Sequence, residues 1–220
     1  PLGTSAPLAC LSFHNTKNIS CGEGGALIVR PDRSDLFARA QILREKGTDR
    51  SRFRRGEVDK YTWQEPGSSY LPSDLLAALL LGQLEDAERS QSGRHRVWSI
   101  YREILAPQAD ELGFRLQEIP AGLTHPAHVF GLLVPDHVDR GAFLADLKEA
   151  GVQATSHYEP LHLAPAHRRA CETSGAPIET LPVTETIASR IVRLPLFADL
   201  DDGAARHVAR SVVSLLEASA

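Results

Sequence analysis

The stretch Ser12-Phe13-His14-Asn15-Thr16-Lys17-Asn18, followed by Cys21-Gly22-Glu23-Gly24-Gly25, puts a primary amine, a hydroxyl and an imidazole into one short polar segment. Lys17 is one of four lysines, against 20 arginines, and it comes soon after the apolar run Leu8-Ala9-Cys10-Leu11, which reads as a buried strand. An amine at the end of such a strand loses part of its hydration, which favours the uncharged form and makes it a nucleophile for a carbonyl carbon. Set in solvent instead, the same residue is an ordinary loop lysine, and spacing alone does not separate the two readings. A Ser12/His14 nucleophile pair shares a strand face, but no acid partner or oxyanion turn accompanies it. His157, His162 and His167 recur regularly in a Pro-containing loop without the Cys or carboxylate pattern of a metal site, so no metal is expected there.

The elements that must position these groups follow from periodicity and punctuation. Gly22 to Gly25 is a turn signal, and Ala26-Leu27-Ile28-Val29 is a second strand that stops at Pro31, so the two strands form a hairpin-like pair. Ser34 or Asp35 is expected to cap an amphipathic helix with Leu36, Phe37, Ala40 and Leu43 at helical spacing. Residues 44–55 carry Arg44, Lys46, Arg50, Arg52, Arg54 and Arg55 against only Glu45 and Asp49. This exposed basic loop is either a solvated charge run or a set of guanidinium contacts for a phosphorylated substrate. Ser73-Asp74 caps the run Leu75 to Leu81, which is apolar on every face and therefore belongs inside a larger structure or an interface. A helix over about 91–105 sets Val97, Ile100 or Tyr101, and Ile104 on one side. Beyond Pro107 the units shorten: a strand over 129–134, a helix over 139–150 ended by Gly151, a strand over 152–155, a Pro- and His-rich loop, a helix over 184–190, a strand over 191–194, and a closing helix with Val208, Val212, Leu215 and Leu216 on one face. The expected division is residues 1–106 and 107–220.

The 220 residues are 42% hydrophobic and 24% charged, which excludes wholesale disorder, and a net charge of -4 argues against a nucleic-acid partner. Three cysteines without paired spacing fit reduced thiols and a cytoplasmic protein. The longest apolar run falls far short of the ~20 residues that cross a bilayer, so no membrane association is expected. With no Met and a start at Pro1-Leu2-Gly3, the sequence is expected to be a piece of a longer polypeptide.

Ser-Phe-His-x-x-Lys-Asn followed by Gly-Glu-Gly-Gly resembles the cofactor-lysine motif of the DegT/StrS family of nucleotide-sugar aminotransferases, pyridoxal-phosphate enzymes of fold type I. Arg44-Glu45-Lys46-Gly47-Thr48, Val58 to Trp63, Gly67 to Asp74, His157 to His162 and Arg193-Leu194-Pro195-Leu196 agree in order, so the resemblance spans nearly the whole chain. It implies an α/β fold, the end of a large-domain sheet followed by a small α/β C-terminal domain. It also implies that Lys17 holds pyridoxal 5'-phosphate covalently and then moves the proton of the reacting carbon, that Ser12 donates to the cofactor phosphate, and that Asn18 and His14 flank and orient the lysine. Ser69 stands where many relatives have an Asn that reaches the phosphate from a neighbouring subunit, which implies a homodimer. The stretch 157–162 is placed at the active-site mouth, so that His14, Tyr158 and His162 are the expected substrate-binding residues.

The implied reaction of the intact enzyme loads an amino group from glutamate and delivers it to the 4-keto group of a dTDP-4-keto-6-deoxyhexose. The family's pyridine-nitrogen carboxylate, ring-stacking aromatic and main glycine-rich phosphate loop precede its lysine, upstream of Pro1, so the 220 residues alone are expected not to turn over. A sugar dehydratase of the same family carries His in place of the lysine, and Lys17 argues against it. A non-catalytic truncated homologue or interaction module is the alternative from a different class.

Overall fold

A computed structural model describes residues 5–219, so the Pro1-Leu2-Gly3 opening lies outside the described residues. The chain divides after Ala87 into two compact units. The expected boundary after 106 lies one helix later, because the residues of that helix bury their apolar face in the cluster of the second unit.

In the first unit β1 (Leu8–Ser12) and β2 (Gly25–Val29) pair antiparallel, with Leu8 opposite Val29 and Ser12 opposite Gly25. The hairpin forms as the two short apolar runs and the glycine turn predict, but β1 is not buried: four of its five residues are exposed. Helix α1 (Ser34–Arg44) follows. Its N-cap is Arg33 and not Ser34 or Asp35, because the Asp35 carboxylate is taken up by the Arg33 guanidinium (2.7 and 3.0 Å) and caps nothing. None of its residues is fully buried: Leu36, Ala40 and Leu43 of its expected apolar face are half-buried, and Phe37 is exposed.

The basic segment is partly helical, as α2 (Arg50–Arg54). Before it the chain forms a tight knot with residues 62–70: the Lys46 N–H donates to Ser68 O, the Gln64 N–H to Gly47 O, and the Thr62 N–H to Asp49 Oδ1. Gly47 has φ +77, and a Cβ there would collide with the Glu65 carbonyl, so only glycine fits both the backbone and the approach. Glu45, Thr48 and Asp49 are buried in this knot. Helix α3 (Asp74–Glu85) begins as expected at Ser73, whose Oγ accepts from the Leu76 N–H. No α3 residue is buried, and Leu75 is 84% exposed.

The second unit is built on α4 (Ala87–Leu105), which starts earlier than the spacing predicts and buries Val97, Trp98, Ile100, Tyr101 and Leu105. Four strands follow in the order β3-β4-β6-β5, all antiparallel: β3 (Arg115–Leu116), β4 (Phe130–Leu133), β5 (Thr155–Ser156) and β6 (Ile191–Leu194). The register sets Leu116, Phe130, Leu132, Val192 and Leu194 on one face, since strand side chains alternate. That face joins α4, α5 (Arg140–Glu149) and α8 (Asp202–Glu217) in one buried cluster. Asp139 caps α5 through the Ala142 N–H, and Asp201 caps α8 through Gly203 and Ala204.

The predicted strand over 152–155 shrinks to β5, because Val152 closes the turn after α5 through its N–H to Leu147 O. The His- and Pro-rich loop contains a 3-10 turn (Leu161–Leu163) and a helix, α6 (Pro165–Ser174), before α7 (Pro182–Arg190). Among the described residues no helix is long and apolar enough to cross a membrane.

Candidate active site

Lys17 sits in the loop that closes the β1–β2 hairpin. The strand ladder continues past Ser12 through Phe13 N–H to Gly24 O (2.8 Å), Asn15 N–H to Gly22 O (2.9 Å) and Cys21 N–H to Phe13 O (2.9 Å). Cys21 fills the inside of this loop, 2% exposed, and a Cβ on Gly24 would stand 2.7 Å from its Sγ. With the loop interior occupied by sulfur, the polar side chains turn outward. The Lys17 N–H donates to His14 O (2.9 Å), which makes the 14–17 stretch a tight turn, and the lysine is exposed rather than half-desolvated in this chain.

The neighbouring groups are ordered by short-range bonds. Ser12 Oγ accepts from the His14 N–H (3.4 Å), which leaves its own proton available to an incoming acceptor. His14 Nδ1 accepts from the Thr16 N–H (3.3 Å) and lies 3.0 Å from Thr16 Oγ1, so the neutral ring carries its proton on Nε2, 3.6 Å from Glu23 Oε1. Asn18 is half-buried beside the lysine in sequence. One loop therefore holds an amine, a hydroxyl donor and an oriented imidazole. That donor set suits a ligand with a carbonyl carbon and an anionic oxygen, and pyridoxal phosphate has both.

The other expected residues lie elsewhere. Ser69 is exposed in the first-unit knot, bridged through its backbone to Glu45. Tyr158 is 76% exposed in the second unit, its ring edge-on to His157 (5.1 Å). His162 is 8% exposed, and its Nε2 is 3.1 Å from Glu185 Oε1, so that ring nitrogen is engaged within the second unit. Glu185 is a residue that sequence reasoning missed. The Leu181 N–H and His162 hold its carboxyl below the ordinary carboxylate range.

The basic segment is less free than its composition implies. Arg54 pairs with the buried Glu45 (3.4 Å), while Arg52 and Arg55 share Glu57, and Arg50 lies over the Tyr61 ring. Arg44 and Lys46 pair with no carboxylate among the described residues.

A concavity of about 570 Å³ lies on the open sheet face of the second unit between Arg115, Leu133, Ile187 and Arg190, and it contains none of the expected site residues. A smaller one of about 160 Å³ beside it reaches His157 and Arg193. Neither is lined by a lysine or a cysteine. The hairpin loop has the reactive group.

Comparison with known proteins places the chain among its relatives: residues 1–213 match the DegT/DnrJ/EryC1/StrS aminotransferase family. The chain belongs to that family. DegT-family aminotransferases depend on pyridoxal phosphate, and they share the α/β architecture described above. The chain is 28% identical to an uncharacterized protein of Methanocaldococcus jannaschii over 98% of its own length and 55% of the relative. It superposes on the aminotransferase TlmJ of Streptoalloteichus hindustanus with a TM-score of 0.80 at 26% identity, covering 99% of this chain and 54% of that one. The fold is also that of a putative sugar aminotransferase of Streptococcus pneumoniae in its PLP-form, with a TM-score of 0.82 at 21% identity over 100% and 54% of the two chains. The DegT-family chain thus spans about half the length of the relatives it matches.

Proposed function

We propose that this chain is the lysine-bearing part of a sugar aminotransferase that takes an amino group from glutamate and places it on the 4-keto carbon of a dTDP-4-keto-6-deoxyhexose, as dTDP-4-amino-4,6-dideoxygalactose transaminase does. The 220 residues alone would not complete that reaction. The observation that carries the reading is Lys17 on a hairpin loop closed by Cys21, with the Ser12 hydroxyl and the oriented His14 ring beside it in sequence.

Pyridoxal phosphate, when bound, supplies an aldehyde carbon that amines attack and a ring that accepts electrons. Lys17 Nζ is the nucleophile that would hold it and the base that would take up and return the proton of the reacting carbon. Ser12 Oγ–H would donate to a phosphate oxygen, Asn18 would keep the lysine aligned, and Ser69 would add a phosphate contact across a homodimer. His14 and Tyr158 would face the sugar nucleotide. Arg44 and Lys46, whose charges are not spent on carboxylates among the described residues, are the cations of the basic segment best suited to its diphosphate. Three unpaired thiols, Cys10, Cys21 and Cys171, support a reducing compartment such as the cytoplasm.

The test is to incubate the purified chain with pyridoxal phosphate, reduce with borohydride and map the added mass. Labelling should concentrate on Lys17 and vanish in Lys17→Ala. Equal labelling of Lys46, Lys60 and Lys148, unchanged in the variant, would reject the cofactor site. Transaminase turnover by the 220 residues would reject the claim that they are insufficient.

A further inference from the structure

We propose that Glu185 is a positioning residue: a single carboxylate oxygen ties the start of α7 to His162 and thereby fixes the loop that presents Tyr158. Glu185 Oε1 takes two donors at once, the Leu181 N–H at 2.9 Å and His162 Nε2 at 3.1 Å. The first bond is local and closes the first turn of α7. The second spans 23 residues and reaches the 3-10 turn Leu161–Leu163.

The loop has little else to fix it. Leu163 N–H donates to Pro160 O and Ala164 N–H to Leu161 O, both within the turn, and Arg168 Nε donates to Leu163 O from the adjoining α6. Among the hydrogen bonds of residues 157–164 in the described chain, the one to Glu185 alone leaves the loop and α6. Burial agrees with this division of labour: His162 is 8% exposed, whereas Tyr158 and Leu161, which precede it, are 76% and 85% exposed. The imidazole is an anchor, and its neighbours are the presented surface.

The chemistry requires a proton on Nε2, because a carboxylate oxygen already accepting from a backbone N–H can only accept. Gln at 185 keeps an acceptor oxygen for both donors, while Ala removes it. The inference rests on the reading above only in giving Tyr158 a substrate to face. Its test involves neither cofactor nor turnover, so the two readings fail separately.

Hydrogen exchange of the 220-residue chain, compared among wild type, Glu185→Gln and Glu185→Ala, reads the clamp directly. Loss of the acceptor should raise exchange over 157–164 roughly tenfold in the Ala variant and leave α8 unchanged, and the Gln variant, which keeps the acceptor but not its charge, should fall between wild type and Ala. An Ala variant within about twofold of wild type, a Gln variant as loose as Ala, or an equal rise over α8 would each overturn the proposal. The ring nitrogens of His162 in the unmodified protein give a check that needs no variant. Nitrogen NMR should find the proton on Nε2, and an Nδ1–H ring would refute the clamp.

Discussion

The two units are held together by different physics. Among the described residues every buried apolar side chain except Cys21 lies in the second unit, where one face of the sheet and three helices share a single cluster. The first unit buries Cys21, Glu45, Thr48 and Asp49, and its order comes from a hairpin ladder and a backbone knot between 45–49 and 62–70. Hydrogen bonds contribute modestly once their exchange with water is counted, whereas buried apolar area is the main favourable term in folding. The lysine therefore stands on the unit with less of its own cohesion, and that unit leaves Leu75, Leu79, Leu81 and Leu84 at the surface. Reactive loops carried on the low-stability end of a structure can be ordered by what binds them.

The sharpest way to break this contrast is Phe130→Ala. Phe130 is fully buried against the rings of Trp98 and Tyr101, with centroids 5.5 and 5.1 Å away. Truncating such a residue costs about 3–5 kcal/mol. Denaturant unfolding followed by hydrogen exchange should show the second unit losing protection while the 8–29 hairpin keeps its own. Simultaneous loss in both would mean that the units share one cooperative transition. Leu75→Ala, at a residue 84% exposed, should leave both unchanged.

A smaller effect is expected from Gly47→Ala, aimed at the first unit. The substitution forces a Cβ into a left-handed backbone and against the Glu65 carbonyl. Strain of this kind costs about 1–3 kcal/mol. The amides of Lys46, Gln64 and Ser68 should lose protection while the sheet of the second unit keeps it. If they do not, the knot is not what holds residues 62–70.

What was legible in the sequence divides along the same line. Ser73, Asp139 and Gly151 mark helix ends through bonds within a few residues, and the structure has all three where local chemistry puts them. The hairpin and its lysine loop were legible for the same reason. Helix α6 also has local marks, Pro165 in its first turn and Gly175 at φ +72 after its end, but they were hidden in a stretch dominated by His and Pro. β3 is two residues long and exists only because β4 pairs with it. The burial of Glu45 and Asp49 depends on partners far along the chain, so charge alone made 44–55 look like an open basic loop. The burial of His162 was hidden in the same way, since its partner Glu185 lies 23 residues on and no spacing rule connects them.

The smallest effect separates a large electrostatic shift from a structural one. Asp35 in the first unit is held down to about 2 by the Arg33 guanidinium, yet that pair is open to solvent and joins residues two apart. Exposed pairs of this kind are screened and hold little, so acid should leave exchange around α1 unchanged. Glu185 in the second unit also lies below its ordinary 4.5, through the Leu181 N–H first and His162 second. A lowered folded-state value means that the charge-assisted part of these bonds is fully present above 4.5 and is lost as the pH falls through the lowered value. Exchange over 157–164, corrected for the intrinsic effect of pH, should therefore rise between about pH 5 and about pH 3, and α1 should show no such step. An acid step at α1 with none at 157–164 would reverse the assignment. It would make the exposed Asp35 pair the structural one and leave the loop that carries Tyr158 fixed by something other than Glu185.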